Sequence, residues 1–532
     1  MSIKIEKISS QVSISPQVTI DDIGRLAELG VEVMVCNRPA TEHAYDDIKT
    51  QAEAQGLEFI VISFKPEELT QAQVDEFRQL LESSKRVHAY CRTGKRSKTL
   101  WQRATDQSEN AENASAAAIE NPSSEPKEKA NGAYDIVIIG AGSAGIATAS
   151  SIAKRDSQLS IAIIDPSEDH YYQPGWTMVG GGVFDAQSTH KKTKSLIPDN
   201  VTWLKRSVVS FAPKDNSVTL DDGSFVSYKQ LVVAPGLKLN WDGIDGLNDA
   251  LGKHGVTSNY RYDLAPYTWE LVQNLKRGKA IFTQPPMPIK CAGAPQKALY
   301  LSADHWLKNS TLADIDIEFY NSGGVLFGVP DYVPALEHYI EKYQVTLNFM
   351  QTLVKVDGPS QTAWFKNADG EVSETSFDLL HVCPPQCAPD FIRESELADQ
   401  AGWLEVDQHT LQHVNFENIW GVGDVTNTPN AKTMAAVRKQ APVVAHNIVN
   451  KFSGNSSTVN YDGYGSCPLT VERGKIVLAE FGYGGKLIPT FPKWLNDGTK
   501  PTKLAWLLKA SILPAVYWHG MLKGREWLAR PK

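Results

Sequence analysis

YDIVIIGAGSAGIATAS, residues 134–150, is an apolar strand pattern followed by a turn of small residues and the start of a helix. The turn carries glycines in G-x-G-x-x-G spacing, and its small residues are Gly140, Gly142, Ser143, Ala144 and Gly145. In a βαβ unit the first glycine permits the tight turn, the second lets the backbone approach a pyrophosphate, and the third allows close helix–strand packing. The helix N-terminus attracts the same anion. The stretch therefore predicts a dinucleotide-binding α/β domain.

Two further features support this prediction. Asp165 ends the next predicted strand, SIAIID, about twenty residues after the glycines, where its carboxylate would hold a ribose hydroxyl. The segment LVVAPG, residues 231–236, resembles the strand and turn by which two-dinucleotide-binding flavoproteins return to their first nucleotide domain. The turn residues that we expect beside the cofactor are Ala234, Pro235 and Gly236.

A third segment favours FAD over NAD. NIWGVGDVTN, residues 418–427, resembles the second FAD fingerprint of the same flavoproteins, with Gly423 in the turn and Asp424 bonded to the ribityl chain. The helix that begins in AKTMAAVRKQ would point its N-terminus at the flavin, so Lys432 could stabilise a reduced, anionic flavin. A solvated lysine at the start of the helix fits this pattern equally well.

The middle of the chain lacks the second nucleotide fingerprint that such flavoproteins use to bind NAD(P)H. Residues 279–309 read KAIFTQPPMPIKCAGAPQKALYLSADHWLKN, which predicts a strand and a helix, but Cys291 occupies the turn where the glycines would be. Without those glycines the backbone cannot approach a pyrophosphate. We therefore expect a sulfur donor instead of NAD(P)H.

Four motifs resemble the sulfide:quinone oxidoreductases, particularly the branch that contains the mitochondrial enzyme. They lie in the family's order between about Ala133 and the C-terminus, and they are HYYQPGWTMVGGG (170–182), IKCAGAPQK (289–297), GVGDVTNTPNAKTMAAV (421–437) and YDGYGSCPL (461–469). The resemblance implies a doubly wound, tandem Rossmann-like flavoprotein that uses FAD, sulfide and a membrane quinone. It also implies that Cys291 and Cys467 are the redox pair and that Pro174 lies at the cofactor.

The resemblance implies a mechanism as well. Sulfide opens the Cys291–Cys467 bridge, one cysteine becomes a persulfide, the other thiolate attacks the flavin, and two electrons reach quinone. A thiol, sulfite or similar small acceptor removes the sulfane sulfur. A cationic neighbour would keep the departing cysteine ionised. Lys297 and Lys509 are candidates for that neighbour, although we expect both to lie on the surface in ion pairs.

Cys383 and Cys387, in HVCPPQCAPD, have a C-x3-C spacing that invites a metal or redox interpretation. No companion Cys or His motif accompanies them, so no metal site is predicted. We expect both to be structural or incidental, with sulfur relay by one of them as the alternative.

The N-terminal segment carries its own cysteine loop. RVHAYCRTGKRSKTLWQRA, residues 86–104, places Cys91 between a strand and a helix, in a loop whose backbone N–H groups, with Arg92 and Arg96, would cradle an anion. Cysteine phosphatases and rhodanese sulfurtransferases share this layout. Phosphatases have Cys-x5-Arg, whereas Cys91 and Arg96 are spaced Cys-x4-Arg, which resembles rhodanese and favours a persulfide carrier.

The rest of this segment, including CNRPATEH near Cys36, resembles a phosphatase-like family that is often fused to sulfide-oxidation enzymes. The NRPA turn has no Asp to act as general acid, which weakens a phosphatase assignment. Sulfur transfer is the preferred reading, with phosphoester hydrolysis and an inert adaptor as alternatives. We expect Cys36 to be a buried strand residue.

Composition divides the chain into four parts. We expect a small phosphatase/rhodanese-like α/β domain over 1–103, a flexible linker rich in Ser, Asn, Glu and Ala over 104–132, and the flavoprotein over 133–491. The tail 492–532, rich in Leu, Trp and Lys, predicts amphipathic helices in a membrane interface, with packing on the core as the alternative.

Global properties narrow the location and the partners. A net charge of -8 argues against nucleic acid as a partner. The start of the chain shows no secretory signal pattern, and no apolar run reaches the ~20 residues of a membrane span. We therefore expect an intracellular protein that is peripheral (monotopic) on the cytoplasmic membrane. The sequence is also compatible with a homo-oligomer. A type II NADH:quinone oxidoreductase, which has the same fold, is the alternative function.

Overall fold

The computed structural model describes residues 5–9, 11–38, 45–64, 69–83, 85–91, 94–106 and 130–531. The chain divides into two compact units, Met1–Glu125 and Pro126–Lys532. Of the predicted linker 104–132, residues 104–106 are helical and 130–132 begin a strand, while 107–129 lie outside the described residues.

The first unit is a five-stranded sheet between helices. Its elements in chain order are β1 Glu6–Lys7, β2 Val12–Ser15, α1 Ile20–Glu28, β3 Val33–Cys36, α2 Asp46–Ala54, β4 Glu58–Val61, α3 Gln71–Glu82, β5 Val87–Tyr90 and α4 Lys95–Asp106. The strand order is β1-β2-β5-β3-β4, and every pair is parallel except β1–β2. Two of these strands, β3 and β4, lie in the apolar stretches VEVMVCN and LEFIVISF.

Period-two alternation in β3 explains the helices on both faces of this sheet. Met34 and Cys36 pack in one cluster with α1 and α2, whereas Val33 and Val35 pack in another with α3 and α4. A strand buried on both faces must be apolar at every position, and all four residues of β3 are buried. Cys36 is therefore the buried strand residue that the sequence predicted.

The second unit begins with the predicted strand–turn–helix. The elements of its first part are β6 Ala130–Ile139, α5 Ser143–Arg155, β7 Ile161–Ile164, β8 Asp169–Tyr171, α6 Trp176–Gly180, β9 His190–Lys192, β10 Val201–Leu204, β11 Val208–Ala212, β12 Ser217–Leu220, β13 Phe225–Val233 and β14 Lys238–Leu239. The turn with the glycines joins β6 to α5, as expected.

The middle of the unit forms a second parallel sheet, ordered β15-β22-β16-β17-β18, and a small antiparallel one, β19-β20-β21. Its elements are α7 Leu247–Ala250, β15 Val256–Thr257, α8 Leu264–Asn274, β16 Gly278–Gln284, α9 Ala294–Lys308, β17 Ile315–Asn321, α10 Val333–Lys342, β18 Thr346–Phe349, β19 Thr352–Asp357, β20 Thr362–Lys366, β21 Val372–Ser376, β22 Leu379–His381, β23 Gln386–Cys387 and α11 Asp390–Arg393. The turn between β16 and α9 carries Cys291.

The chain then returns to the first sheet before its last elements. These are β24 Ile419–Gly421, α12 Met434–Phe452, β25 Gly465–Glu472, β26 Lys475–Phe481, β27 Pro501–Thr502, α13 Lys503–Leu507 and α14 Leu513–Ala515. The first sheet runs β10-β7-β6-β13-β12-β11, with β24 also parallel to β13. Because β6, β13 and β24 are parallel neighbours, the turns that follow them meet at one edge.

The C-terminal tail packs on the first sheet's helices and also exposes apolar side chains. Tyr517 and Leu522 are fully buried in the core around α5 and α12, whereas Leu507 and Ile512 are 51% and 42% exposed. Packing on the core, the alternative considered for the tail, therefore holds for part of it. In the described part of the chain, no helix has both the length and the apolarity to cross a bilayer.

Substitution of Gly145 tests whether the close contact between the glycine turn and α5 contributes to the stability of the second unit. A Cβ at Gly145 would lie 1.8 Å from the Gly140 carbonyl oxygen, whereas a Cβ at Gly142 would meet nothing within 4 Å. We expect Gly145→Ala to destabilise the ligand-free protein by about 1–3 kcal/mol, because overpacking forces the backbone to move. The matched control, Gly142→Ala, should change stability by less than about 0.5 kcal/mol. Urea unfolding measures both, and equal stabilities would contradict the packing role.

Candidate functional site

The glycine turn forms a cradle with one open side. Gly140 has φ +95°, and a Cβ there would lie 2.5 Å from the Ala234 carbonyl oxygen and 2.8 Å from Cα of Pro235. Gly140 and Gly145 are therefore required by the protein's own packing. Gly142 borders open space and leaves its backbone accessible. This arrangement fits a dinucleotide, whose pyrophosphate needs that access and the N-terminus of α5.

Asp165 lies next to this turn. Its carboxylate accepts hydrogen bonds from the backbone N–H of Ala141, at 2.7 Å, and of Ser167, at 2.8 Å. Burial raises its pKa, although these two bonds oppose the rise. Asp165 therefore fixes the end of β7 to the turn, and its predicted contact with a ribose stays a prediction.

The second fingerprint lies directly against the first. A Cβ at Gly423, which has φ +86°, would lie 3.2 Å from Cβ of Ala144 at the start of α5. The Gly423 N–H donates to Oε1 of the fully buried Gln440 at 2.9 Å. Gln440 is not predictable from the sequence, because a glutamine within a helix gives no signal. The turn after β13 also lies here, since Ala234 N–H donates to the Ile139 carbonyl at 2.9 Å and Gly236 has φ +75°.

Lys432 is buried, and the solvated alternative is wrong. Its Nζ donates to the backbone carbonyls of Asp424, at 2.8 Å, and Thr426, at 2.7 Å. Burial lowers its pKa to about 8. Burial likewise raises the pKa of Asp424, while the charges of Lys432 and Lys290 oppose the rise. This lysine ties the second fingerprint to the N-terminus of α12.

The two predicted redox cysteines come together across 176 residues of chain, with their Sγ atoms 3.9 Å apart. Cys291 has φ +51° in the turn after β16, and its N–H donates to the Lys432 carbonyl at 2.9 Å. Cys467 lies on β25 and is 2% exposed, whereas Cys291 is half-buried. The cysteine pair therefore adjoins the second fingerprint.

Lys297 is the cationic neighbour of the pair, and the expectation that it lies on the surface is wrong. It is 2% exposed, and its Nζ donates to Cys291 Sγ at 3.0 Å. One turn of α9 after the loop brings the ammonium back over the thiol, because side chains point towards the helix N-terminus. Burial lowers the pKa of Lys297, but the charges of Cys291 and Cys467 outweigh burial and raise it.

These contacts give the two thiols different pKa values. Hydrogen bonding from Cys467 lowers the pKa of Cys291, burial opposes this, and the Lys297 charge lowers it further, well below the ordinary range. The pKa of Cys467 is raised because it donates to Cys291 and is buried. These contacts therefore favour a thiolate at Cys291 and a protonated thiol at Cys467.

The tail supplies a second buried lysine, so the surface assignment of Lys509 is also wrong. Lys509 is 3% exposed, and its Nζ donates to the Pro174 carbonyl at 2.8 Å. Burial and the charge of Lys297 lower its pKa to about 8. The Pro174 carbonyl holds the tail, and the contact predicted for Pro174 with a cofactor stays a prediction.

A hydrogen-bonded chain joins the tail to the glycine turn. Ser143 Oγ lies 2.7 Å from Tyr517 Oη, which lies 2.6 Å from His170 Nε2, and His170 Nδ1 lies 3.1 Å from the Ala141 carbonyl. The carbonyl can only accept, so Nδ1 carries the proton and Tyr517 donates to Nε2. Burial lowers the pKa of His170 to about 4, so the ring is neutral. No spacing signal predicts a contact over 374 residues.

Cys383 is buried beside the redox pair. It packs in one apolar cluster with Tyr260 and Cys291, and burial raises its pKa to about 12. A neutral thiol in that position fits the structural role expected for it. Cys387 lies half-buried on β23. Among the described residues, no group of three or more His, Cys, Asp or Glu side chains is placed to hold a metal ion.

In the first unit, Cys91 directly follows β5 and is 1% exposed. The Gly94 N–H donates to its Sγ at 3.1 Å, and Gly94 has φ +85°. Arg96, in the first turn of α4, donates to the Asn37 carbonyl at 3.3 Å. The strand–loop–helix layout is therefore present. Arg92 lies outside the described residues.

The chain matches two family models. Residues 4–110 match the phosphatase-like domain of the beta-lactamase hydrolase-like proteins. Residues 134–271 match the pyridine nucleotide-disulphide oxidoreductases. Both matches agree with the mixed α/β architecture of the two units.

Relatives and a solved structure match the larger part of the chain. The mitochondrial sulfide:quinone oxidoreductase of Dictyostelium discoideum is 40% identical over 80% of this chain and 94% of its own length. The mitochondrial enzyme of Mus musculus is 37% identical over 74% of this chain and 87% of its own length. The crystal structure of the sulfide:quinone oxidoreductase from Aquifex aeolicus superposes with a TM-score of 0.62 at 20% identity, covering 74% of this chain and 92% of that one, which shows a shared fold.

The Lys297–Cys291 contact predicts how the reduced thiols react. Iodoacetamide alkylates thiolates, so Cys291 should react before Cys467, and should still react below neutral pH. Lys297→Met removes a charge that lowers the Cys291 pKa, so the acid-side rate should fall about tenfold for each pKa unit gained. Lys297→Arg should keep most of the rate.

The matched control is Lys308→Met, because Lys308 lies on the same helix, α9, but its Nζ donates to Asp304 Oδ2 at 2.7 Å. Peptide mass spectrometry separates the labelled cysteines. An acid-side rate at Cys291 that Lys297→Met leaves unchanged would contradict the assignment.

Proposed function

Because the chain belongs to the sulfide:quinone oxidoreductase family, we propose that it oxidises sulfide to sulfane sulfur at Cys291 and Cys467 and reduces a membrane quinone through a bound FAD. The observation that carries this proposal is the buried contact between Lys297 Nζ and Cys291 Sγ. The same Sγ atom lies 3.9 Å from Cys467 Sγ. A general flavoprotein would not need a charged lysine and two thiols beside its second fingerprint.

The residues available to hold FAD lie at the shared edge of the first sheet. The pyrophosphate would meet Gly142 and the N-terminal residues of α5, and the flavin end would meet Asp424 and Lys432. When bound, FAD supplies an acceptor that takes two electrons from a thiolate and returns them to quinone. The lysine, with its pKa near 8, can carry a proton or a charge at physiological pH.

The cysteines and Lys297 account for the capture of sulfide. Hydrosulfide attacks one sulfur of the oxidised pair, the S–S bond breaks, and a new S–S bond forms to the incoming sulfur. The thiol with the lower pKa leaves faster, and Lys297 makes Cys291 that thiol. Attack therefore falls on Cys467, which carries the persulfide, while Cys291 departs as a thiolate held by the Lys297 ammonium.

Lys509 adds a second positive charge to the same site. Below its pKa of about 8 it is protonated and helps to hold an anionic sulfur near the pair. Above that pH the charge is lost, and we infer weaker attraction of hydrosulfide. The tail thereby contributes to the site, and its exposed apolar residues support a peripheral contact with the membrane that holds the quinone.

We propose that the sulfane sulfur passes to Cys91. The Cys91 thiolate attacks the outer sulfur of the Cys467 persulfide, which transfers that sulfur and leaves Cys467 with its electron pair. The Gly94 N–H, which donates to Cys91 Sγ at 3.1 Å, would stabilise negative charge on the sulfur that Cys91 receives. A small thiol or sulfite would then take the sulfur from Cys91.

Phosphoester hydrolysis at Cys91 is the second candidate, and the family match of residues 4–110 favours it. In that case Cys91 attacks phosphorus instead of sulfur.

Anaerobic titration with sulfide tests the central activity. We expect sulfide to bleach the flavin of the FAD-loaded protein and quinone to restore its absorbance. Cys291→Ser and Cys467→Ser should abolish bleaching by sulfide, while Cys383→Ser, the matched cysteine control, should retain it. Bleaching by NADH without sulfide would instead support the NADH:quinone oxidoreductase alternative.

Cys91→Ser tests the sulfur transfer. We expect the variant to bleach with sulfide as the wild type does but to transfer at least tenfold less sulfane sulfur to sulfite, because one step of the relay is lost. Quantifying thiosulfate measures this. Hydrolysis of an aryl phosphate that Cys91→Ser abolishes, with thiosulfate formation unchanged, would contradict the relay and support the phosphatase.

A further inference from the structure

A large cavity lies in the second unit at the C-terminal end of α5, which is the end away from the glycine turn. Its volume is about 1450 Å³. One wall is the C-terminal end of α5, a second is the middle of α12, and the third is the last segment of the tail, residues 524–531. None of the residues assigned to the cysteine pair or to the cofactor lines this cavity.

The last segment of the tail is held in place by bonds to its backbone and to one acid. Lys439 Nζ donates to the Leu528 carbonyl at 2.8 Å, Arg438 donates to the Trp527 carbonyl, and Arg155 pairs with Glu526. These contacts fix the backbone of the segment, while the side chains of Trp527 and Leu528 stay exposed.

The cavity is lined with positive charge, although the whole chain has a net charge of -8. Five cations line it against two acids, Asp462 and Glu526, and the cations are Lys154, Arg155, Lys439, Arg525 and Arg530. Among the described residues, no carboxylate forms a salt bridge with the cavity residues Lys154, Arg525 or Arg530. Such a lining attracts an anion.

Part of the remaining lining is apolar, and the other part includes His446, Asn460 and Thr490. Val443, Tyr461 and Ile488 contribute to the inner surface. At the rim, Trp527 and Leu528 are 52% and 76% exposed. A soluble anion would gain nothing from these side chains, whereas an amphiphile with an anionic head would use both kinds of surface. Trp beside Arg is also typical of a membrane interface.

We propose that this cavity binds the headgroup of an anionic phospholipid, with Trp527 and Leu528 inserted among the acyl chains. The proposal rests on the peripheral membrane contact proposed above and names its lipid partner. It makes the last residues of the tail a lipid-selective contact, separate from the apolar residues near Leu507.

Vesicle flotation of the FAD-loaded full chain tests the proposal. We expect binding to vesicles of phosphatidylcholine mixed with phosphatidylglycerol and much weaker binding to phosphatidylcholine alone. The double variant Lys154→Glu and Arg530→Glu should bind the anionic vesicles at least about tenfold more weakly, because each lost cation contributes about fivefold. The matched control, Lys214→Glu with Lys366→Glu, changes two exposed lysines away from the cavity by the same charge and should bind like the wild type.

Three results would overturn the proposal. The cavity variant could bind anionic vesicles as well as its control does. The wild type could bind both vesicles equally, which would leave the membrane contact standing without lipid selectivity. Inorganic phosphate could bind the cavity in solution while leaving vesicle binding unchanged, which would identify a small-anion site that is not used for lipid. If the double variant folds poorly, Lys154→Gln with Arg530→Gln gives the same comparison with half the charge change.

Sulfide bleaching of the wild type in solution is measured alongside, without vesicles. Lipid binding with no bleaching would contradict the sulfide chemistry alone, and bleaching with no lipid binding would contradict this inference alone.

Discussion

In the mechanism that we propose, the chemistry depends on the buried contact between the Lys297 ammonium and Cys291 Sγ, which is 3.0 Å long. A buried lysine without a partner would lose its proton, and a buried thiol without a cation would keep one. Together they are stable as an ion pair inside the protein. This ion pair gives the two cysteines different environments, and we propose that it makes Cys291 the better leaving group and Cys467 the persulfide carrier.

The fold explains how Lys297 and Cys291 come to lie beside the edge of the first sheet where we propose that FAD binds. Three parallel strands, β6, β13 and β24, end at one place, and their turns supply the cradle, the Ala234 contact and the second fingerprint. The N-terminus of α12 closes this edge, and its Lys432 carbonyl accepts from the Cys291 N–H. This backbone hydrogen bond connects the cysteine loop of the second sheet to the turns at the edge of the first sheet, where we propose that the nucleotide binds.

Much of this could be predicted from the sequence. The glycine spacing and Asp165 predicted the strand–turn–helix, and the resemblance to the sulfide:quinone oxidoreductases and to a phosphatase-like N-terminal domain is confirmed by the family matches and relatives. These features are local, so a short stretch contains the whole signal. The positions of Lys297 and Lys509 were predicted wrongly because lysines are mostly exposed. Burial of a lysine depends on partners distant in sequence, here a cysteine loop and the Pro174 carbonyl. Tyr517, His170 and Gln440 escaped notice for the same reason.

The structure of the C-terminal tail was also only partly predictable from its sequence. Its composition predicted a membrane-interface segment, but the sequence could not divide it into an inner face, with Tyr517 and Lys509, and an outer one. That division follows from the shape of the surface between α5 and α12. One segment therefore contacts the glycine turn, the thiol site and, in our proposal, the bilayer.

The most direct test of the account is to locate the first persulfide. The oxidised, FAD-loaded protein would receive one equivalent of sulfide without oxygen, be trapped at once with an alkylating agent, and be mapped by peptide mass spectrometry. The account predicts the extra sulfur on the Cys467 peptide, because Lys297 makes Cys291 the leaving thiolate. An extra sulfur on the Cys291 peptide, with Cys467 released as a free thiol, would contradict it.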